Sequence, residues 1–142
     1  MPSKRTRHWL RRLALLALVL ATYPTFVLTY TGSHVLQSPL PGGRHGPLDA
    51  YRHTLASAVV AYTFDARAID LVNGVMERRG RRSNAMDIHN NLIGAGIGSR
   101  DARFSDIEPM VAHSVATGRI DAPSPDQTTW LPPGDWEEGF AW

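Results

Sequence analysis

Cysteine is absent from this sequence of 142 residues. Its absence excludes a disulfide framework, a thiolate zinc site, a cysteine nucleophile and an iron–sulfur cluster. Charged residues make up only 20% of the chain, whereas 43% of the residues are hydrophobic. This balance is typical of a folded protein, and the length suits one compact domain with an accessory segment.

Acidic residues are missing from the first twelve positions, which hold five of the fifteen basic residues. The rest of the chain has ten basic and thirteen acidic residues, and the last twenty-two positions have five acids and no base. A phosphate backbone calls for a basic patch on the folded body. The sequence therefore predicts no nucleic-acid partner. A second basic cluster is interpreted as a solvated helix end, and it comprises Arg78, Arg79, Arg81 and Arg82.

Residues 13–30 form an uncharged stretch of eighteen residues directly after the basic segment. A membrane-spanning helix needs about 20 apolar residues, with a lower limit near 17. The preceding cations place residues 1–12 in the cytoplasm and the domain outside it, so we expect a single-pass protein of the cell inner membrane. The alternative is a signal sequence cut after residues 19–21, which would release a periplasmic or secreted protein. Continued hydrophobicity over residues 26–28 favours the anchor.

The remaining chain divides into a linker, a helical domain and a tail. Residues 31–46 are rich in Pro, Gly and Ser and predict the linker. No segment alternates as a strand does, so residues 47–118 predict an all-α domain, a small bundle of about four helices. Residues 119–142 predict an irregular tail, rich in Pro and Trp, that packs on the domain. The first helix is expected over residues 47–64, and the second from Asp65 to before Gly80. The third is expected from Ser83 to the glycines at 94–98. The fourth is expected to begin at a capping box of Ser105 and Glu108 and to end at Gly118.

The first of these helices carries a polar stripe on a mainly apolar surface. Asp49, His53 and Ser57 are spaced by four residues and share one side of the helix, with Arg52 beside them. A buried polar group without a partner costs on the order of 1–3 kcal/mol, so another element is expected to face this stripe. Glu77 offers a carboxylate at the end of the second helix. The third helix offers a larger matching set, which comprises Asp87, His89, Asn90, Asn91 and Gly94.

Three interpretations of this shared pocket stay open. As structure, Asp49 and Arg52 form an ion pair within one helix, and the asparagines bridge neighbouring helices. As a metal site, Asp49 and His53 bind a divalent cation together with Asp87 or His89, which is a mixed nitrogen and oxygen ligand set. As a metal-free hydrolase site, His53 is the general base that acts on water or on Ser57. Asp49 or Asp87 orients it, and Arg52 holds an anion.

Two motifs within the pocket sequence, D-x-x-R-H at residues 49–53 and M-D-x-x-N-N-x-x-G at residues 86–94, occur in this order. The pair resembles a bacterial domain family without an assigned function, whose relatives include short secreted or anchored proteins and the terminal domains of polymorphic toxins. The toxin association hints at hydrolysis of an envelope or cellular polymer. The resemblance implies that the signature positions are Asp49, Arg52, His53, Asp87, Asn90, Asn91 and Gly94.

These observations predict a membrane-anchored, extracytoplasmic helical protein with two functions left open. The first is a hydrolase, for which a divalent metal is a possible cofactor. The alternative is a non-catalytic module of the cell envelope that binds an envelope ligand or protein. In the hydrolase, the expected catalytic residues are His53, Asp87, Asp49 and Arg52, and the expected ligand-binding residues are Asn90, Asn91 and His89.

Overall fold

Five helices account for most of the chain in the computed structural model, which describes residues 4–76, 82–121, 124 and 126–138. The helices are α1 (Lys4–Gln37), α2 (Pro47–Thr63), α3 (Arg67–Met76), α4 (Arg82–Gly98) and α5 (Phe104–Ala116). Two short strands, β1 (Arg119–Ile120) and β2 (Thr129–Trp130), pair in parallel, and a 3-10 turn follows at Pro133–Asp135. The predicted all-α fold class is confirmed. Glu77, Arg78, Arg79, Arg81 and Trp142 lie outside the described residues.

Helix α2 lies at the centre of the bundle because small and apolar residues cover most of its circumference. Leu55, Ala58 and Val59 have no exposed surface, and residues of α1, α4 and α5 pack around them. Apolar residues on α5 are spaced by four positions and form one buried stripe, as the helical period requires. That stripe consists of Ile107, Val111 and Val115.

Helix α1 is longer than the sequence predicts, and residues 31–37 are helical, so the linker prediction was wrong for them. Val27, Thr31 and Val35 follow one another at intervals of four residues, and all three are buried. Packing against the domain therefore outweighs the preference of Gly and Ser for a loop. Within the described residues, α1 is the one helix long and apolar enough to cross a membrane.

Helix α4 continues through the three glycines that were expected to end it. A methyl group added at Gly94 would collide with the backbone carbonyl oxygen of Thr54, and one added at Gly98 would collide with that of Ala58. The two glycines therefore let the backbones of α2 and α4 approach closely. This contact stabilises the helix and offsets the low helix propensity of glycine.

The start of α5 also differs from the prediction. Its N-cap is Arg103, whose backbone N–H lies 3.3 Å from a carboxylate oxygen of Asp106, so the predicted capping box of Ser105 and Glu108 was wrong. The Glu108 carboxylate instead accepts a hydrogen bond of 2.7 Å from the Tyr51 hydroxyl on α2. Glu108, which the local pattern predicts as a capping residue, therefore forms a contact between α5 and α2.

Candidate functional site

Helices α2 and α4 run side by side in the same direction, so their polar residues meet in sequence order. Asp87 lies near His53, Asn91 lies near Ser57, and Gly98 lies against Ala58. The spacing of three and four residues on both helices keeps these positions on the facing surfaces. The polar stripe on α2 and the polar set on α4 therefore belong to one interface.

The first end of this interface is a group that we call the carboxylate–imidazole cluster, formed by Asp49, His53 and Asp87. His53 Nε2 lies 3.6 Å from Asp49 Oδ1 and 3.4 Å from Asp87 Oδ1. One ligand atom from each of the three residues lies within 4.8 Å of the others. The side chain of Asp49 is 2% exposed, whereas His53 is 22% and Asp87 is 13% exposed, so solvent reaches the cluster on the side of His53.

Two further residues surround Asp49. The Arg52 guanidinium forms an ion pair with Asp49 Oδ1 and also lies 3.4 Å from His53 Nε2. The backbone N–H of His45 donates a hydrogen bond of 2.7 Å to Asp49 Oδ2, and the His45 ring lies 3.8 Å from the same oxygen and 3.8 Å from the Glu137 carboxylate. Asp49 is therefore held on both oxygens, which fixes its position at the base of the cluster.

Asp87 is the least satisfied member of the cluster. Among the described residues its buried Oδ1 has no hydrogen-bond partner. Burial raises the pKa of Asp87 above its ordinary value, and the nearby Asp49 carboxylate raises that pKa further, while the His53 imidazole opposes both effects. A positive partner, either a proton shared with His53 or a metal cation, would relieve this unfavourable burial.

The second end of the interface is a hydrogen-bonded group that we call the amide network, formed by Ser57, Asn73 and Asn91. The Ser57 hydroxyl donates to Asn91 Oδ1 at 2.9 Å, and Asn91 Nδ2 donates to Asn73 Oδ1 on α3 at 2.9 Å. All three side chains are buried. Asn91 is thus engaged in binding three helices together and does not reach the carboxylate–imidazole cluster.

Asn90 and His89 face the carboxy-terminal segment of the chain. Asn90 accepts a hydrogen bond of 2.9 Å from the backbone N–H of Thr129 and donates one of 2.8 Å to the Thr129 carbonyl. His89 Nε2 lies 2.7 Å from the carbonyl oxygen of Gln127. The two residues that were expected to bind a ligand with Asn91 therefore hold the protein's own tail.

Comparison of the chain with protein-family models, with curated proteins and with solved structures finds no match. The chemistry of the site therefore rests on its own geometry. A histidine nitrogen and two carboxylate oxygens form the mixed donor set that zinc and similar divalent cations accept. The same atoms also suit a histidine base oriented by carboxylates.

Sequence reasoning missed two residues near the site. His45 stands in a stretch of Pro and Gly that predicts a linker, and no local pattern distinguishes it from a solvated loop residue. The chain enters α2 through a left-handed conformation at His45, with φ of 69°, which directs its backbone N–H to Asp49. Asn73 lies on α3 at a position where the apolar stripe gave no reason to expect a buried amide.

Proposed function

We propose that this protein is a membrane-anchored hydrolase whose carboxylate–imidazole cluster binds a divalent cation. The observation that carries the proposal is the buried Oδ1 of Asp87, which has no hydrogen-bond partner among the described residues and lies 3.4 Å from His53 Nε2. A carboxylate in this position is unfavourable by itself and becomes favourable beside a cation. The side chain of His53 is 22% exposed, so water can reach the cluster on that side.

In this proposal each residue has a distinct role. Asp49, His53 and Asp87 would hold the cation, which would supply a water molecule activated as a nucleophile near neutral pH. The Arg52 side chain is partly exposed and lies beside the cluster, so it is suited to hold an anionic group of the substrate. His45 and the backbone around it keep Asp49 in place.

The amino-terminal helix supports the membrane part of the proposal. Residues 7–37 of α1 have a mean hydropathy of 1.8 over their most apolar window, and the basic residues lie in the first turns of the same helix. Cations at the start of a span remain in the cytoplasm. We therefore assign the helical domain to the outer side of the cell inner membrane.

A second candidate function is a non-catalytic envelope module, and the amide network favours it. Asn91 makes hydrogen bonds to two other helices, and the Asp49–Arg52 ion pair already neutralises one carboxylate without a metal. If this function is correct, His53→Ala lowers the melting temperature and no divalent cation binds. The absence of cation binding contradicts the hydrolase proposal, whereas a lower melting temperature is expected in both functions because His53 also compensates the buried Asp87 carboxylate.

Membership of the family with the paired D-x-x-R-H and M-D-x-x-N-N-x-x-G motifs is part of the proposal. The motif residues Asp49, His53 and Asp87 lie together, and Gly94 allows the close contact of the two motif helices. The close contact of the two helices and the cluster that they form together are two reasons for the two motifs to occur in the same protein. The substrate class that follows is a polymer of the envelope or of a target cell.

The experiment that tests this function measures hydrolysis by the full chain in detergent micelles, with and without added zinc or manganese. Chromogenic reporters of four bond types, carboxylic ester, phosphodiester, glycoside and peptide amide, cover the main hydrolase classes. We expect turnover that requires the cation and is lost in His53→Ala. His113→Ala is the matched control, because His113 is an exposed histidine on α5 outside the cluster. Equal turnover in His53→Ala and the unaltered chain would contradict the proposal.

A further inference from the structure

Helix α1 has two halves with different surroundings. Between residues 13 and 20 its leucine and valine side chains are exposed, as expected of a segment without protein neighbours. From Tyr23 onward it packs on the domain, since the Tyr23 ring lies 4.6 Å from that of Phe64 and the Tyr30 ring lies 5.2 Å from that of Phe104. Val27 is buried in the main core.

The free half of α1 is too short to cross a bilayer. The uncharged helix before Tyr23 covers residues 13–22, which at 1.5 Å per residue is about 15 Å long. The hydrocarbon core of a membrane is about 30 Å thick. The apolar segment predicted to span, residues 13–30, has a length of about 27 Å and comes close to that thickness. A span of the required length therefore includes the part of α1 that packs on the domain.

The domain surface next to this part of α1 is aromatic and exposed. Phe64, at the end of α2, is 60% exposed, Tyr62 is 41% exposed, and Phe26 on α1 itself is 46% exposed. The Phe104 ring lies 5.5 Å from Tyr62 and 6.3 Å from Phe26. Phe64 joins this group through Tyr23, whose ring lies 6.4 Å from Phe26, so the rings form one continuous surface. We call this surface the aromatic edge.

Charged groups border the aromatic edge on its outer side. Asp65 follows Phe64 and is exposed, and the exposed Arg103 pairs with Asp106 beside Phe104. Aromatic rings next to polar groups are the usual composition at the boundary between lipid tails and headgroups. The charged groups limit how deeply the edge can enter the hydrocarbon.

We propose that the aromatic edge, formed by Phe26, Tyr62, Phe64 and Phe104, inserts into the outer leaflet of the lipid bilayer that α1 crosses, with Phe104 near the headgroups beside Tyr30 and Phe64 deeper beside Tyr23. The inference rests on the proposed anchoring by α1. The apolar surface of α1 continues directly into the edge, and only this insertion lets the uncharged stretch span the hydrocarbon without separating α1 from the domain. The domain then lies directly on the membrane and is not held away from it by a linker.

The same geometry fixes the height of the candidate active site. Helix α2 returns toward the membrane, because its last turn meets Tyr23 whereas Tyr51, near its start, lines a cavity together with His34. His53 precedes Tyr62 by nine residues, which corresponds to about 14 Å along the helix axis. The carboxylate–imidazole cluster is thus directed to a substrate at the level of the headgroups and not to a lipid tail.

Depth-dependent fluorescence quenching tests this inference, and the absence of cysteine makes single-cysteine labelling direct. The full chain is reconstituted in vesicles of phosphatidylcholine and phosphatidylglycerol, with an environment-sensitive fluorophore at Phe64→Cys or, as a second site on the edge, at Tyr62→Cys. Two sets of vesicles are compared, one with lipids that carry a spin label near the headgroup and one with lipids that carry it on the acyl chain, and either label acts as a quencher. We expect loss of emission at both positions. Ile120→Cys is the matched control, because Ile120 is 45% exposed, apolar and outside the edge, and its emission should persist.

A label at Leu18→Cys separates failure of this inference from failure of the anchor. Quenching at position 18 with none at 62 and 64 would overturn the inserted edge and leave the anchor standing. Absence of quenching at all three positions would overturn both. Equal quenching at positions 64 and 120 would show that the label itself partitions into lipid regardless of site, which also contradicts a specific edge.

Discussion

The two ends of the contact between α2 and α4 differ in chemistry although the same pair of helices forms them. The amide network at one end is buried and carries no charge, and Asn91 there has partners on two other helices. The carboxylate–imidazole cluster at the other end is partly exposed and contains a buried carboxylate oxygen without a hydrogen-bond partner among the described residues. The comparison teaches that hydrogen-bonded amides join the helices at one end, while at the other end a buried carboxylate that faces an imidazole and a second carboxylate marks a candidate reaction centre.

The largest effect is expected at the glycine that allows the two helices to approach. Gly94→Ala places a methyl group against the Thr54 carbonyl and the Ser57 side chain, so α2 and α4 must separate. We expect a loss of about 3 kcal/mol or more in the free energy of unfolding, because backbone cannot move aside cheaply. Chemical denaturation followed by circular dichroism measures it.

Gly96→Ala is the control for this prediction. Nothing lies within 4 Å of a methyl group at that position, which is exposed on the same helix. The change should stabilise α4 by up to about 1 kcal/mol through helix propensity. Similar losses of stability in both variants would contradict the close contact of the two helices.

The next effect concerns the bond between α4 and the tail. Asn90→Ala leaves the buried N–H and carbonyl of Thr129 without their side-chain partner, and we expect a loss of about 2–3 kcal/mol. Faster hydrogen exchange over residues 127–131 should accompany it. Leu92→Ala changes an exposed residue on the same helix and should have little effect. Unchanged exchange in Asn90→Ala would contradict the role of Asn90 in holding the tail.

A smaller change in stability is expected when the amide network and the carboxylate–imidazole cluster are each altered by one substitution. Asn91→Ala removes the partner of two buried groups, Ser57 and the Asn73 carbonyl oxygen, and should cost about 2 kcal/mol. Asp87→Asn removes an unfavourable buried charge and should change stability by less than about 1 kcal/mol. Thermal melting of both variants measures the difference. A larger loss of stability in Asp87→Asn than in Asn91→Ala would contradict the assignment of the structural role to the amide network.

The smallest effect is the pH dependence of stability in the presence of a chelator. Burial raises the pKa of Asp87 in the folded state above that of the unfolded chain, so the folded state holds the proton more tightly. The stability from this proton is complete below the unfolded pKa of about 4 and is lost as pH rises through the raised value. The unaltered chain should therefore lose stability over that interval relative to Asp87→Asn. Parallel curves for the two proteins would contradict the raised pKa.

The sequence predicts the architecture well because helical periodicity and buried stripes are local properties. It also predicts that the stripe at Asp49 and the polar set at Asp87 share one interface. It does not separate the two ends of that interface, because Asn90 and Asn91 stand side by side in the sequence and face different neighbours in the fold. Which neighbour each one meets depends on tertiary contacts that no spacing rule contains.

The departures at helix ends have the same origin. Residues 31–37 resemble a loop by composition, yet Thr31 and Val35 are buried on the domain and keep α1 helical. The glycines of α4 suggest a helix end until α2 is placed against them. Glu108 completes a local capping pattern with Ser105 but contacts Tyr51 of another helix. In each case, long-range packing overrides a weak local preference.

Isothermal titration of zinc and of manganese into the full chain tests most directly whether the carboxylate–imidazole cluster is a cation site. The account predicts one binding site in the unaltered protein and in Asn91→Asp, a variant of the amide network, provided that the variant is folded. It predicts no specific binding in Asp87→Asn, which keeps the shape of the side chain and removes one ligand charge. Binding of equal stoichiometry and affinity in Asp87→Asn and in the unaltered protein would contradict the account.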